Sequence, residues 1–223
     1  MQTRSPVIKG GMPARSTVKA LKRTKSKLAT AYLILYNAIS AGSWLCFAYH
    51  FVHALQIDGW NAESMFTKSL STLCWVQTLA TIEVVHAICH LTPSSPLATA
   101  IQITSRLVIV WPICHILHAH WGFALIAIAW TISDALRYIY YLANLIGVCP
   151  RWLSWCRYTF FVGLYPLGTL GEMALIKSTM SVLDHLQSPY KWVIGVLLVV
   201  WPIGFGYMYV HMLKQRQKYI ALA

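Results

Sequence analysis

Six long apolar segments dominate this sequence. They cover about residues 29–54, 69–91, 98–118, 120–142, 157–179 and 190–213. Each is close to the roughly 20 residues that an α-helix needs to cross the hydrocarbon core of a bilayer. Only 11% of the residues are charged, whereas a soluble domain carries roughly 25%. We therefore predict an all-α polytopic membrane protein, folded as a six-transmembrane-helix bundle.

Positive charge is concentrated at the N terminus. Eight of the eighteen Lys and Arg residues fall within residues 1–27, where there is no acid, and this composition predicts a disordered basic tail. Such a tail can fix topology, bind nucleic acid or anionic lipid, or act as an organelle transit peptide. We favour the topological role and expect no nucleic-acid partner. The apolar run that follows is too long for the h-region of a cleavable signal peptide.

The remaining basic residues orient the predicted spans. Those on the same side as the tail are Arg151, Arg157, Lys214, Arg216 and Lys218, and those on the other side are Lys68, Lys177 and Lys191. Because cytosolic loops carry an excess of Lys and Arg, both termini are expected in the cytosol. The predicted units are the tail, one six-helix membrane domain over residues 28–213 and a short cytosolic tail over residues 214–223.

The fifth span contains a carboxylate, Glu172, seven residues after Tyr165. An acid in the middle of a span costs roughly 2.5–3.5 kcal/mol on insertion scales, so it should face a protein interior or a wet cavity. Seven residues make about two helical turns, which puts both side chains on nearly one face. Pro166, between them, cannot donate a backbone hydrogen bond to Val162 and is expected to open the helix locally. The pattern alone allows either a functional site or a polar contact between helices.

Four other charged residues, Glu83, Arg106, Asp134 and Arg137, also fall inside predicted spans. Asp134 and Arg137 are three residues apart on one helix, so we expect a salt bridge that neutralises both. The alternative is that Arg137 shapes the cytosolic mouth of a site. Glu83 and His86 share one face and are expected to tether helices rather than do chemistry.

Nine histidines and six cysteines suggest metal or thiol chemistry, but their placement argues against both. His86 and His90 lie toward the cytosolic side, whereas His115, His118 and His120 lie toward the opposite side. Two or three ligands on each side make a poor di-iron site, so we expect no metal. The cysteines lack C-x-x-C spacing and a phosphate-binding loop followed by arginine, which is typical of packing residues and not of a thiol phosphatase.

The run R-Y-T-F-F-V-G-L-Y-P-L-G-T-L-G-E from Arg157 resembles the signature of a known family. Further similar runs stand in the same order: Y-N-A-I-S-A-G-S-W-L from Tyr36, E-V-V-H from Glu83, I-Q-I-T-S-R from Ile101, A-W-T-I-S-D-A-L-R-Y from Ala129 and H-M-L-K-Q-R-Q-K from His211. The family is that of the very-long-chain (3R)-3-hydroxyacyl-CoA dehydratases, the protein tyrosine phosphatase-like proteins of the endoplasmic reticulum membrane.

This resemblance implies the dehydration of a 3-hydroxyacyl-CoA to the trans-2-enoyl-CoA, the third step of each fatty acid elongation cycle. It implies that Tyr165 and Glu172 are the catalytic pair and that no cofactor is needed. We favour Glu172 as the base and Tyr165 as the acid, because a phenol with an ordinary pKa near 10 is a poor base at neutral pH. A protonated Glu172 would reverse these roles. Arg151 and Arg157 are expected to meet the CoA phosphates.

Two other functions remain open from the residues. One is a catalytically inactive membrane scaffold that binds lipid or elongation enzymes. On the dehydratase interpretation, too, the expected partners are the other elongation-cycle enzymes, namely an elongase, a ketoacyl reductase and an enoyl reductase. The other is a transporter that uses Glu172 as a proton relay. The first half of the chain lacks an inverted repeat of the interrupted Tyr165–Glu172 segment, which disfavours transport, and the intact pair disfavours a scaffold.

The charge asymmetry predicts that both ends of the chain lie on the cytosolic side of a six-span bundle. Protein tagged at either end is expected to lose both tags when sealed microsomes are treated with protease from outside. A tag that survives until detergent is added would place the termini on opposite sides and contradict the even number of spans.

Overall fold

A computed structural model describes residues 27–117 and 119–220, and within these ranges the chain forms helices and no strand. The helices are α1 (Lys27–Asp58), α2 (Ala62–Leu79), α3 (Ile82–Ile88), α4 (Pro96–Val108), a π-helix (Ile109–Ile113), α5 (Cys114–Ile116), α6 (Trp121–Ile146), α7 (Arg151–Thr159), α8 (Phe161–His185) and α9 (Lys191–Ile220). The all-α prediction is confirmed. The basic tail of residues 1–26 and the last three residues lie outside the described ranges.

Five helical segments of the described chain are long and apolar enough to cross a membrane. They are Lys27–Asp58, Pro96–Ile116, Trp121–Ile146, Arg151–His185 and Lys191–Gln217. The second predicted span, residues 69–91, is absent from this set because the helix breaks at Ala80 and Thr81 and α2 begins with polar sequence that includes Glu63 and Lys68. The predicted count of six spans is therefore not confirmed, whereas a multi-pass apolar helical architecture is.

Two other predicted spans differ in detail from single regular helices. In the third, α4 passes into the π-helix around Pro112, a residue that has no backbone N–H to donate. In the fifth, residues 157–159 belong to the end of the separate helix α7, and α8 begins after Phe160. Helix α8 then continues through Pro166 to His185.

Helix α6 lies at the centre of the bundle. It packs against α1 on one side and α8 on the other, while α9 packs against α7 and α8. Large side chains fill the space around α6, among them Trp44, Phe47, Phe123, Trp130 and Leu175. Helix α9, in contrast, keeps about half of its large apolar side chains exposed, as expected for a helix whose outer face meets lipid.

Helices α6 and α8 approach most closely where two glycines face each other. A Cβ atom on Gly171 would lie 2.7 Å from the carbonyl oxygen of Gly122, and a Cβ atom on Gly122 would lie 2.8 Å from that of Gly171. Small residues at such crossings let membrane helices pack backbone to backbone. The crossing also fixes the height of Glu172, the next residue of α8, relative to α6.

Gly171→Ala is expected to lower stability by about 1–3 kcal/mol, because the added methyl must push the two backbones apart. The matched control is Gly163→Ala on the same helix, where a Cβ would meet nothing within 4 Å. The measurement is the melting temperature of the purified variants in detergent. If both variants have the melting temperature of the unchanged protein, the close approach of α6 and α8 at these glycines is contradicted.

Candidate functional site

A cavity of about 480 Å³ lies between α4, α6, α8 and α9. Tyr165 and Glu172 both line it, as do Arg137 and Arg157, whereas Arg151 does not. Arg151 is the exposed first residue of α7. Four of the five residues singled out from the sequence therefore surround one space.

The carboxylate of Glu172 is held by two tryptophans. Trp130 on α6 donates its indole N–H to Oε1 at 3.2 Å, and Trp201 on α9 donates to Oε2 at 2.7 Å. The sequence did not indicate these donors, because they lie 42 and 29 residues from Glu172 along the chain. Their only sequence signal is that both are tryptophans inside apolar spans, a property that other tryptophans of this chain share.

Tyr165 is held by ring stacking. Its ring lies nearly parallel to those of Phe205 and Tyr209 on α9, with centroids 5.3 and 6.0 Å away. The hydroxyl of Tyr209 donates to the carbonyl oxygen of Val162 at 3.1 Å. This is the carbonyl whose helical partner Pro166 removes, so α9 supplies the missing hydrogen bond.

The other acids of the bundle interior are neutralised by arginines. Asp134 bonds Arg106 and also lies 3.3 Å from Nε of Arg137, which confirms the predicted pairing of Asp134 and Arg137 and adds a second partner. Arg137 also forms two hydrogen bonds to the carboxylate of Glu83, at 2.9 and 3.0 Å. These four side chains join α3, α4 and α6, and two positive charges balance two negative ones.

Two tyrosine hydroxyls also contact the carboxylate of Glu83. The hydroxyl of Tyr138 on α6 donates to Oε1, and that of Tyr36 on α1 lies 3.5 Å from the same oxygen. The predicted role of Glu83 as a helix tether is therefore confirmed. His86, predicted to share that role, bonds the hydroxyl of Tyr32 on α1 at 2.8 Å.

Glu172 differs from Glu83 and Asp134 because none of the salt bridges among the described residues includes it. Arg106 comes near: its guanidinium carbon lies 5.0 Å over the ring of Trp130, and its charge acts on Glu172 without a salt bridge between the two. A carboxylate held by neutral N–H donors has its charge stabilised less than one bonded to a guanidinium. Glu172 is therefore the interior acid best suited to exchange a proton.

The arginines at the cavity differ in how fully they are engaged. Arg137 already bonds Glu83, Asp134 and the hydroxyl of Tyr138. Arg157 lies over the rings of Tyr141 and Tyr158, at 6.0 and 5.9 Å, and forms no salt bridge within the described part of the chain. Arg157 is therefore the cavity arginine more open to an anionic ligand.

The histidines that suggested a metal site have other contacts. His120 caps α6 through the N–H of Gly122 and bonds Ser178 at 2.8 Å, and His115 stacks on Trp111. Over residues 27–117 and 119–220, no three His, Cys, Asp or Glu side chains group as metal ligands. His118 lies outside the described residues, so the expectation of a metal-free protein stays a prediction.

Comparison with known proteins supports the resemblance. The family model described as "Protein tyrosine phosphatase-like protein, PTPLA" matches residues 77–221. The chain belongs to this family. Among the curated proteins that match, three align with 84–87% of the chain, and no solved structure matches it.

These relatives carry one activity in their names. The "Probable very-long-chain (3R)-3-hydroxyacyl-CoA dehydratase" of Schizosaccharomyces pombe is 36% identical over 86% of this chain and 93% of its own length. Human "Very-long-chain (3R)-3-hydroxyacyl-CoA dehydratase 2" is 31% identical over 87% of this chain and 82% of its own length. The Caenorhabditis elegans "Very-long-chain (3R)-3-hydroxyacyl-CoA dehydratase hpo-8" is 31% identical over 84% of this chain and 93% of its own length.

Asp134→Asn is expected to destabilise the protein by about 3–5 kcal/mol, because it leaves Arg106 and Arg137 without their shared buried acid. The matched control is Asp58→Asn, which breaks an exposed pair with Lys68 and should change little. Thermal unfolding in detergent measures both variants. Equal melting temperatures for the two would show that the interior charges do not hold the helices together.

Proposed function

We propose that this protein removes water from a (3R)-3-hydroxyacyl-CoA to give the trans-2-enoyl-CoA, the third step of the very-long-chain fatty acid elongation cycle. The observation that carries the proposal is Glu172, a carboxylate that forms no salt bridge with any described residue and faces the same cavity as Tyr165. The names of relatives that align over most of the chain support the reaction and the substrate class.

The reaction needs one base and one acid. The base takes the proton from the α-carbon, and the electrons of that C–H bond form the double bond between the α- and β-carbons. The β C–O bond breaks, and the acid gives its proton to the departing hydroxyl, which leaves as water. Two groups placed beside the α- and β-carbons of one substrate are sufficient for these two proton transfers.

In our assignment Glu172 is the base and Tyr165 the acid. The two indole N–H groups from Trp130 and Trp201 hold both carboxylate oxygens, which limits the rotation of the side chain. The stacked rings of Phe205 and Tyr209 restrain the plane of Tyr165 in the same way. After turnover the proton on Glu172 must return to Tyr165, directly or through cavity water, to restore the starting state.

The CoA portion is assigned to the end of the cavity lined by Arg157, His211 and Gln215. Arg157 is proposed to bind a phosphate through charge-assisted hydrogen bonds. Arg151, exposed at the start of α7, is proposed to meet the more distant phosphates outside the cavity. Arg137, bonded to two acids, contributes to the cavity wall and less to phosphate binding.

The proposed setting is the endoplasmic reticulum membrane, with both termini in the cytosol and the other elongation-cycle enzymes as neighbours. In this topology α2 and α3 together make the sixth crossing. Residues 93–95, which follow α3, and Gln215, near the end of α9, line the same cavity. Their proximity supports placing the α3–α4 turn and the C-terminal end of α9 on one side of the membrane.

Tyr165→Phe and Glu172→Gln are each expected to lower turnover by about 100-fold or more, because each removes one proton-transfer group. Turnover by the double variant should be little lower than turnover by the less active single variant, since groups that act as a unit lose their effect together. Purified protein in detergent is mixed with a 3-hydroxyacyl-CoA, and the enoyl product is quantified.

Matched controls are Tyr190→Phe and Glu63→Gln, which change the same atoms at exposed positions. Both should keep full activity, and all variants should elute as folded protein on size exclusion. If folded Glu172→Gln still dehydrates at the rate of the unchanged protein, the catalytic role of Glu172 is wrong. An unchanged, folded protein that dehydrates no 3-hydroxyacyl-CoA would instead favour the scaffold function.

A further inference from the structure

The cavity ends close to the proposed reactive groups. Along α9 its lining extends from Leu197 to Gln215, which is about 27 Å at 1.5 Å per residue. Trp201, the donor to Glu172, lies only about 6 Å from the Leu197 end and about 21 Å from the Gln215 end. The long part suits the extended polar arm of CoA, and the short part has room for only a few carbon atoms.

The cavity is also too small for the whole substrate. Its volume of about 480 Å³ lies within the range of roughly 300–1,000 Å³ that holds drug-sized ligands. An acyl-CoA with a very long chain is far larger than such a ligand. The chain beyond the β-carbon must therefore leave the cavity. The lining of the cavity on α9 ends at Leu197, and the next inward-facing residue, Ile194, is buried.

The described helices leave the cavity wall between α4 and α9 weakly packed. Ile101 on α4 and Val200 on α9 both line the cavity and are 42% and 51% exposed. Both are apolar and lie within candidate membrane spans. Among the described residues, α9 packs against α7 and α8 and has little contact with α4. We call the gap between α4 and α9, which has Ile101 on one side and Val200 on the other, the lateral slit.

We propose that the acyl chain of the substrate leaves the cavity through the lateral slit and lies in the hydrocarbon layer of the membrane. This inference rests on the proposed function. The β-carbon stays between Tyr165 and Glu172, and the CoA end stays at the polar mouth. Methylenes beyond the slit remain in hydrocarbon before and after binding, so lengthening the chain changes neither binding nor turnover.

The direct test is to narrow the slit. Val200→Trp and Ile101→Trp add bulk at its two rims, and the matched controls are Val199→Trp and Leu97→Trp on the same helices. The control positions are 66% and 69% exposed and do not line the cavity. In lipid nanodiscs, kcat/KM is measured for a short-chain and a very-long-chain 3-hydroxyacyl-CoA with each variant.

Both rim variants are expected to lower the ratio of very-long-chain to short-chain kcat/KM by about 10-fold or more, whereas the controls keep the ratio of the unchanged protein. A ratio that stays constant in both rim variants overturns the slit. An unchanged protein that dehydrates neither substrate would instead reject the proposed function.

A binding measurement decides the slit without turnover. A very-long-chain 3-hydroxyacyl-CoA with a photoreactive diazirine at the methyl end of its chain is bound to the protein in nanodiscs and irradiated. Adducts with lipid-facing residues of α4 and α9 beside the slit, competed by excess unlabelled substrate, are expected. Adducts confined to Leu197 and its buried neighbours would show a closed internal tunnel and overturn the proposal.

Discussion

The interior charges of Glu83, Arg106, Asp134 and Arg137 constrain the rest of the structure. In a low-dielectric interior none of them is stable alone, so each helix must sit where its charge meets a partner. Asp134 and Arg137 on α6 bond α4 through Arg106 and α3 through Glu83. The short helix α3, which has little apolar length of its own, is therefore held in the bundle by a charge contact as well as by packing.

The same arrangement gives different roles to three acids that the sequence alone places alike inside apolar spans. Glu83 and Asp134 have guanidinium partners and serve the architecture, while Glu172 has two indole N–H donors and faces the cavity. Trp130 links the two systems, because Arg106 covers its ring and Glu172 accepts its N–H. Replacing Arg106 is thus expected to affect Glu172 through the position of this ring and through the loss of a nearby positive charge.

Much of this was predictable from the sequence, for reasons that particular residues make clear. Apolar runs of spanning length indicate helices whatever their packing, and the spacing of Asp134 and Arg137 on one helix predicts their contact. The partners of Asp134 and Glu172 on other helices depend on how helices are rotated and shifted against each other, which no local pattern encodes. The break at Ala80 and Thr81 was missed because neither residue is a strong helix breaker.

The hydrogen bond from Tyr209 to the carbonyl of Val162 makes two distant positions depend on each other. With proline at position 166, a phenylalanine at 209 would leave the carbonyl without a partner in an apolar environment. With alanine at 166, the backbone N–H of that residue would donate to the carbonyl of Val162, and the hydroxyl of Tyr209 would then need another partner. The two residues are therefore expected to change together among relatives, and a single exchange at either one should be tolerated less well than the double exchange.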